Sequence, residues 1–276
     1  MGTPVKVATP PSITKLKLAG AWGDLSESLR KPYLWRGLAW FDVKQRFRRS
    51  VLGPLWITLS MAALIAGMGP LYGAIFDLDL KSYLPFLALG VIVWGFMSSA
   101  MTESCNAFIT GARVIRQTRL PLSSFVLRTI WRNLIVLAFN SVLIVAVVAY
   151  AGVPSLMRVL GSVLGLALLT IAMIGMGFLI SVFCTRYRDM QQLVVSMLQI
   201  LMFLTPVFWR ADQLPRRSLI IEWNPAYYFL EAIRAPLLGN DVSLHTMAVA
   251  AGLAGCFLLT GLMFFAQYRL RIVYWL

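Results

Sequence analysis

The stretch VLGSVLGLALLTIAMIGMGFLISVFCT, residues 159–185, runs for 27 residues without an aspartate, glutamate, lysine or arginine. A helix rises about 1.5 Å per residue and needs about 20 apolar residues to cross a hydrocarbon core about 30 Å thick. This run exceeds that length. Five more stretches share its character: 51–76, 82–102, 133–157, 190–209 and 242–268. Only Arg158 divides 133–157 from 159–185, but Gly152, Pro154 and Ser155 just before it supply turn chemistry, so two helices are expected there. Polar and apolar residues do not alternate, which argues against a transmembrane barrel. The chain is therefore expected to be an all-α membrane protein with six transmembrane helices.

Composition agrees. The 276 residues are 59% hydrophobic and 13% charged, with a mean hydropathy of +0.76. Soluble domains carry about twice that charge. The net charge of +14 comes from 25 basic and 11 acidic residues. Six spans put both termini on one side, and that side collects 19 of the basic residues against 6 on the other. Basic residues gather in cytoplasmic loops, so both termini are expected in the cytoplasm of a multi-pass membrane protein. The same asymmetry removes the main support for nucleic-acid binding.

The segment 33–50, YLWRGLAWFDVKQRFRRS, reads as an amphipathic helix lying on the cytoplasmic face, with membrane lipid beneath it. Leu34, Leu38 and Phe41 recur at i, i+4 and i+7, beside Trp40, and Lys44, Arg46, Arg48 and Arg49 form a basic end. Residues 1–31, with Pro4, Pro10 and Pro11, read as a loose cytoplasmic tail, 32–50 as the interface helix and 51–276 as the membrane domain. The connection 104–132 carries Arg113, Arg116, Arg119, Pro121, Arg128 and Arg132. On composition alone it suits lipid headgroups as well as a docking partner. In the opposite connection, 210–241, Asn224-Pro225 is a helix start, Phe229, Ile233 and Leu237 make a stripe, and Pro236 and Gly239 are stop signals. Short re-entrant or outer-leaflet helices are expected there, between spans five and six. An ordinary aromatic belt is the alternative.

Several chemistries lack their residues. There is no G-x-x-x-x-G-K-[ST] run to cradle nucleotide phosphates and no H-E-x-x-H. His245 is the only histidine, and Cys105, Cys184 and Cys256 are far apart in sequence, so no metal site is expected. No acid lies within the six apolar stretches, which argues against an ion-coupled carrier and most membrane enzymes. Trp94 falls near the middle of 82–102, so it either packs in the bundle or lines a passage. Trp56 and Tyr72 flank the first span, and Gly161 and Gly165 form a GxxxG pair.

Four stretches together resemble the membrane subunit of type-2 ABC exporters, in the branch that exports O-antigen and related polysaccharides. They are RRSVLGPLWITLS at 48–60, YLPFLALGVIVWGFMSSAMTE at 83–103, TRYRDMQQLV at 185–194 and NPAYYFLEAIRAPLLG at 224–239. The resemblance implies a homodimer with a channel between the copies and two nucleotide-binding subunits that carry ATP and magnesium. This chain itself would bind no cofactor and catalyse nothing. A coupling helix is implied within 112–125, with Arg113, Arg116, Arg119 and Pro121 facing the ATPase and Arg186 and Arg188 as a second contact. Trp40, Phe41, Lys44 and Arg48 would belong to the interface helix. Tyr227, Tyr228, Glu231 and Arg234 would form an outer gate, and Trp56, Tyr72, Trp94 and Phe96 would line the channel for a lipid-linked polysaccharide. The competing readings are an ABC exporter of a drug or lipid and a membrane-embedded glycan-handling enzyme.

Overall fold

The computed structural model describes residues 13–118, 120–152, 154–211 and 219–276. Arg119 and the prolines of the first twelve residues lie outside the described residues. Five helices are long and apolar enough to cross a membrane: α3 (Leu55–Ile75), α4 (Leu80–Ser104), α6 (Ser123–Ala151), α7 (Leu156–Arg186) and α11 (Leu244–Trp275). The remaining helices are α1 (Ile13–Arg30), α2 (Pro32–Arg46), α5 (Ala107–Gln117), α8 (Met190–Leu204), α9 (Leu219–Glu222) and α10 (Pro225–Leu237). The protein is an all-α, multi-pass membrane protein.

The bundle is built around α4, which packs against α3, α6, α7, α8 and α10. Its burial follows from composition: Tyr83, Leu87, Ala88 and Leu89 are fully enclosed, and Trp94 and Phe96 fill the same core. The peripheral spans stay apolar on their outer faces, as at Val145 and Met263, which are 68% and 57% exposed. Helices that are apolar all round suit a lipid surround rather than water.

One end of the bundle gathers α1, α2, α5, the start of α6 and the end of α11, and is called here the terminal end. The opposite end holds α10 and the starts of α4, α7 and α11, and is called the far end. The fifth expected span, 190–209, is shorter than its sequence suggested. α8 stops at Leu204 after 15 residues, about 22 Å at the usual helical rise and short of a 30 Å core. The physical reason is Thr205-Pro206: a residue before proline is pushed to extended backbone, and Thr205 adopts ψ 137°. α8 nevertheless leads from the terminal end, where Met190 packs near Cys105 and Cys184, to the far end.

Elsewhere helices run past charged residues that bounded the uncharged stretches. The expected connection 104–132 is largely helical: α5 begins at Ala107, before the expected 112–125 window, and α6 already begins at Ser123. Arg128 and Arg132 are therefore on a helix. α11 likewise continues through Arg269 and Arg271. Residues 13–30, expected within a loose tail, form α1, whose Ala21, Leu25 and Ser28 are buried against the bundle. The interface helix ends at Arg46 rather than 50, and Arg48 and Arg49 follow in a turn.

Candidate functional site

At the terminal end, two arginines one turn apart on α6 gather acids from two other helices. Arg128 forms a two-pronged pair with Asp42 of α2, donating from Nε at 2.7 Å and from Nη2 at 2.5 Å. Arg132 donates to Asp42 at 3.2 Å and to Glu103 of α4 at 3.1 and 2.8 Å. Asn133 donates to the same Glu103 oxygen at 2.7 Å, and Arg46 stands 3.9 Å from its other oxygen. The forked guanidinium matches the planar carboxylate, so each contact also fixes orientation. Asp42 and Glu103 thus bind α2, α4 and α6 together, although the sequence gives no local sign of their long-range partners.

This network decides which face of α2 meets the bundle. Trp35, Ala39 and Val43 are buried, spaced at i, i+4 and i+8. The expected apolar stripe lies on another face: Leu38 is partly exposed, and Phe41 and Trp40 are 61% and 55% exposed. Lys44 and Arg48 are exposed as well. The helix therefore offers an apolar face to the surroundings while another is clamped to α6. Arg36 lies 5.1 Å from the Trp35 ring and 4.9 Å from that of Trp131.

Of the residues expected to meet an ATPase, Arg113 and Arg116 are exposed on α5. Pro121 is buried in the corner between α5 and α6. Arg186 lies over Tyr187 and Trp275, at 5.2 Å from each ring, and Arg188 is exposed.

The far end is held differently. From Thr205 to Arg210 the chain leaves the helix, freeing the last carbonyls of α8 and those of the segment itself, which need other donors. Side chains capture four of them. Trp209 Nε1 donates to Phe203 O at 3.0 Å, Asn224 Nδ2 to Leu204 O at 3.3 Å, Arg234 Nη1 to Pro206 O at 2.8 Å and Tyr83 Oη to Phe208 O at 2.6 Å. Asn224 also donates to Thr205 Oγ1 at 2.9 Å, and its Oδ1 accepts from Ala226 N at 3.0 Å, capping α10. The close approach requires glycine at position 90, where a Cβ would stand 2.9 Å from Val207 O.

Arg234 is the centre of this hook. Its side chain is 3% exposed, its guanidinium lies 3.8 Å from the Phe86 ring centroid, and Nη2 meets Glu231 at 2.7 Å. Burial pulls its pKa down and the Glu231 carboxylate opposes that shift. Tyr227 and Tyr228 stack edge to face beside it, and Tyr228 donates to Glu222 O at 2.9 Å. α10 reaches this place because α7 is thin there: a Cβ at Gly165 would stand 2.7 Å from Ala232 O, and Ser162 Oγ donates to Ile233 O at 2.8 Å. Gly165 of the GxxxG pair thus seats α10, whereas a Cβ at Gly161 would meet Pro236 at an ordinary 3.8 Å. A cleft of about 600 Å³ opens beside the hook, lined by Asp79, Phe86, Tyr227, Glu231 and Arg234 among others.

The four aromatics expected to line a channel are not brought together within this chain. Trp94 and Phe96 are each 5% exposed and belong to the core. Tyr72 stacks on Phe208 at 5.7 Å near the hook, and Trp56 is about half exposed. Among the described residues no group of three or more His, Cys, Asp or Glu side chains could hold a metal ion.

The family model for the ABC-2 type transporter matches residues 33–238, and the chain belongs to that family. Among curated relatives, it is 27% identical over 186 residues to the O-antigen export system permease protein RfbA of Klebsiella pneumoniae, covering 67% of this chain and 72% of that protein. It is 24% identical over 216 residues to the protein of the same name from Myxococcus xanthus, covering 75% and 82%. It is also 24% identical over 217 residues to the polysialic acid transport protein KpsM of Escherichia coli, covering 75% and 84%.

Proposed function

We propose that this chain is the transmembrane subunit of an ATP-driven exporter of a lipid-linked, O-antigen-like polysaccharide across the bacterial cytoplasmic membrane. The observation that carries this reading is the kinship, over two thirds or more of the chain, with proteins named for O-antigen export and polysialic acid transport. The chemistry is consistent: a chain without a phosphate-binding loop leaves ATP and magnesium to a separate nucleotide-binding subunit. Two such subunits serve a homodimer of this chain, docking at the exposed α5 arginines. The terminal end lies in the cytoplasm, as the 19-to-6 distribution of basic residues favours. α8 and the hooked segment after it make the fifth of six passages.

Deleting the coding sequence tests the function. Surface polysaccharide should disappear while lipid-linked polymer accumulates inside, and a plasmid copy should restore export. Unchanged surface polysaccharide with altered drug or lipid efflux would replace this reading with the rival exporter. Orientation has its own test: in a cysteine-free background, Leu80→Cys should label from outside, and Arg188→Cys only after permeabilisation. The reverse pattern would overturn the orientation.

A further inference from the structure

The family match begins at residue 33 and ends at 238, so α1 and the end of α11 lie beyond it. Both converge on one place in the matched region, the start of α6 at Leu122 and Ser123, beside α5. α6 has no capping side chain of its own at Leu122. Asp24 of α1 supplies the cap from outside: its carboxylate accepts from Ser123 N at 2.9 Å, from Leu122 N at 3.2 Å and from Ser123 Oγ at 2.6 Å. A carboxylate here satisfies orphan amides and meets the positive end of the helix dipole.

The cap is braced on three sides. Arg269 of α11 stands 3.6 Å from Asp24, and its guanidinium also donates to Gly20 O. One turn after Asp24, the fully buried Ser28 places its Oγ 2.6 Å from Ser123 Oγ and 2.8 Å from Ser124 Oγ. Trp35 Nε1 of α2 donates to Ser28 O at 3.0 Å. Ala21 and Leu25 pack into the cluster that contains Phe108 and Ile115 of α5 and Phe125 and Val126 of α6. This joins α1, α2, α6 and α11 at the corner, and α5 shares their apolar cluster. The exposed Arg113 and Arg116 project from that same α5.

We propose that α1 is a positioning brace for the nucleotide-binding subunit, and that Asp24 is the positioning residue which fixes the α5–α6 corner against it. The inference rests on the proposed docking of that subunit at α5. An unbraced corner gives way under the partner's push, so ATP is hydrolysed without moving polymer. Both carboxylate oxygens of Asp24 accept, so asparagine keeps one acceptor for Ser123 but turns an NH2 towards Leu122 N–H and loses the charge facing Arg269, and alanine loses every contact. The proposal therefore separates Asp24→Asn from Asp24→Ala.

The test uses the complete complex, reconstituted in vesicles with lipid-linked polysaccharide extracted from cells lacking this chain. Polymer translocated per ATP hydrolysed is measured together with thermal stability and subunit association. Asp24→Ala should lower polymer moved per ATP about five-fold, the equivalent of a typical lost cap. Asp24→Asn, which keeps one acceptor for Ser123, should lose less than Asp24→Ala. Ser28→Ala, a smaller change, should fall between them and serves if Asp24→Ala does not assemble. Wild-type coupling in Asp24→Ala or, if that variant fails to assemble, in Ser28→Ala would overturn the brace. So would equal loss in the alanine and asparagine variants in step with stability. If wild type itself binds no ATPase at α5, the docking reading fails, a result distinct from failure of the brace alone.

Discussion

The two ends of the bundle are held by different kinds of bond. At the terminal end, Asp42 and Glu103 meet Arg128 and Arg132 across helices whose backbones satisfy themselves. At the far end, Tyr83, Trp209, Asn224 and Arg234 hold carbonyls of a segment that has left the helix. Charged side chains that are 14–28% exposed can exchange partners or take up water during a helix shift. A displaced hook leaves peptide carbonyls unpaired in an apolar setting, which costs far more. The terminal end therefore tolerates a small helix shift at lower cost than the far end does.

This contrast orders the expected effects of substitution. Arg234→Met should be the most damaging, by about 3 kcal/mol, because it leaves the buried bond to the Pro206 carbonyl unmade and removes the charged partner of the part-exposed Glu231. Thermal unfolding in detergent should show a large fall or no recoverable folded protein, and near-wild-type stability would break the account of the hook. Gly165→Val should follow at about 1–3 kcal/mol, since α10 must move away from α7 to admit the side chain. Cysteine pairs across α7 and α10 should then lose cross-linking, and an unchanged yield would contradict the tight seat.

Glu103→Gln should cost less, about 1 kcal/mol, because the site is part-exposed and the amide oxygen still accepts from Asn133. Its sharper consequence is looser coupling of α2 to α4, readable as faster hydrogen exchange in α2 with the far end unchanged. Exchange that rises equally at both ends would remove the distinction drawn here. Arg158→Ala should be the mildest, below about 0.5 kcal/mol, because its partner Asp241 is 87% exposed. A larger loss would mean that the exposed far-end pair belongs to the hook.

The uncharged runs made the five long helices legible, because solvation in lipid is a property of composition. They overstated α8, since hydropathy does not register that Thr205-Pro206 breaks a helix within an apolar run. α1 was not legible for the opposite reason: its stability comes from Asp24, Ser28 and Leu25 meeting distant helices, while its own apolar pattern is weak. Asn224-Pro225 announced α10 correctly, and the resemblance singled out Arg234 as a gate residue without indicating what it would bind. Its bond to Pro206 O is a tertiary fact. Asp42 and Glu103 were equally silent, and the i, i+4 spacing of Arg128 and Arg132 was the one available hint that acids must face them on another helix.

The central claim is that this chain guides a polysaccharide while another subunit supplies the energy. Purified chain and nucleotide-binding subunit, reconstituted together with lipid-linked polysaccharide, should move polymer to the lumen only when ATP is present. Either component alone should move none, and this chain alone should hydrolyse no ATP. Sustained ATP turnover by this chain without its partner, with contamination excluded by a catalytically dead partner variant, would contradict the account. So would a complete complex that hydrolyses ATP while leaving the polymer on the side where it was loaded.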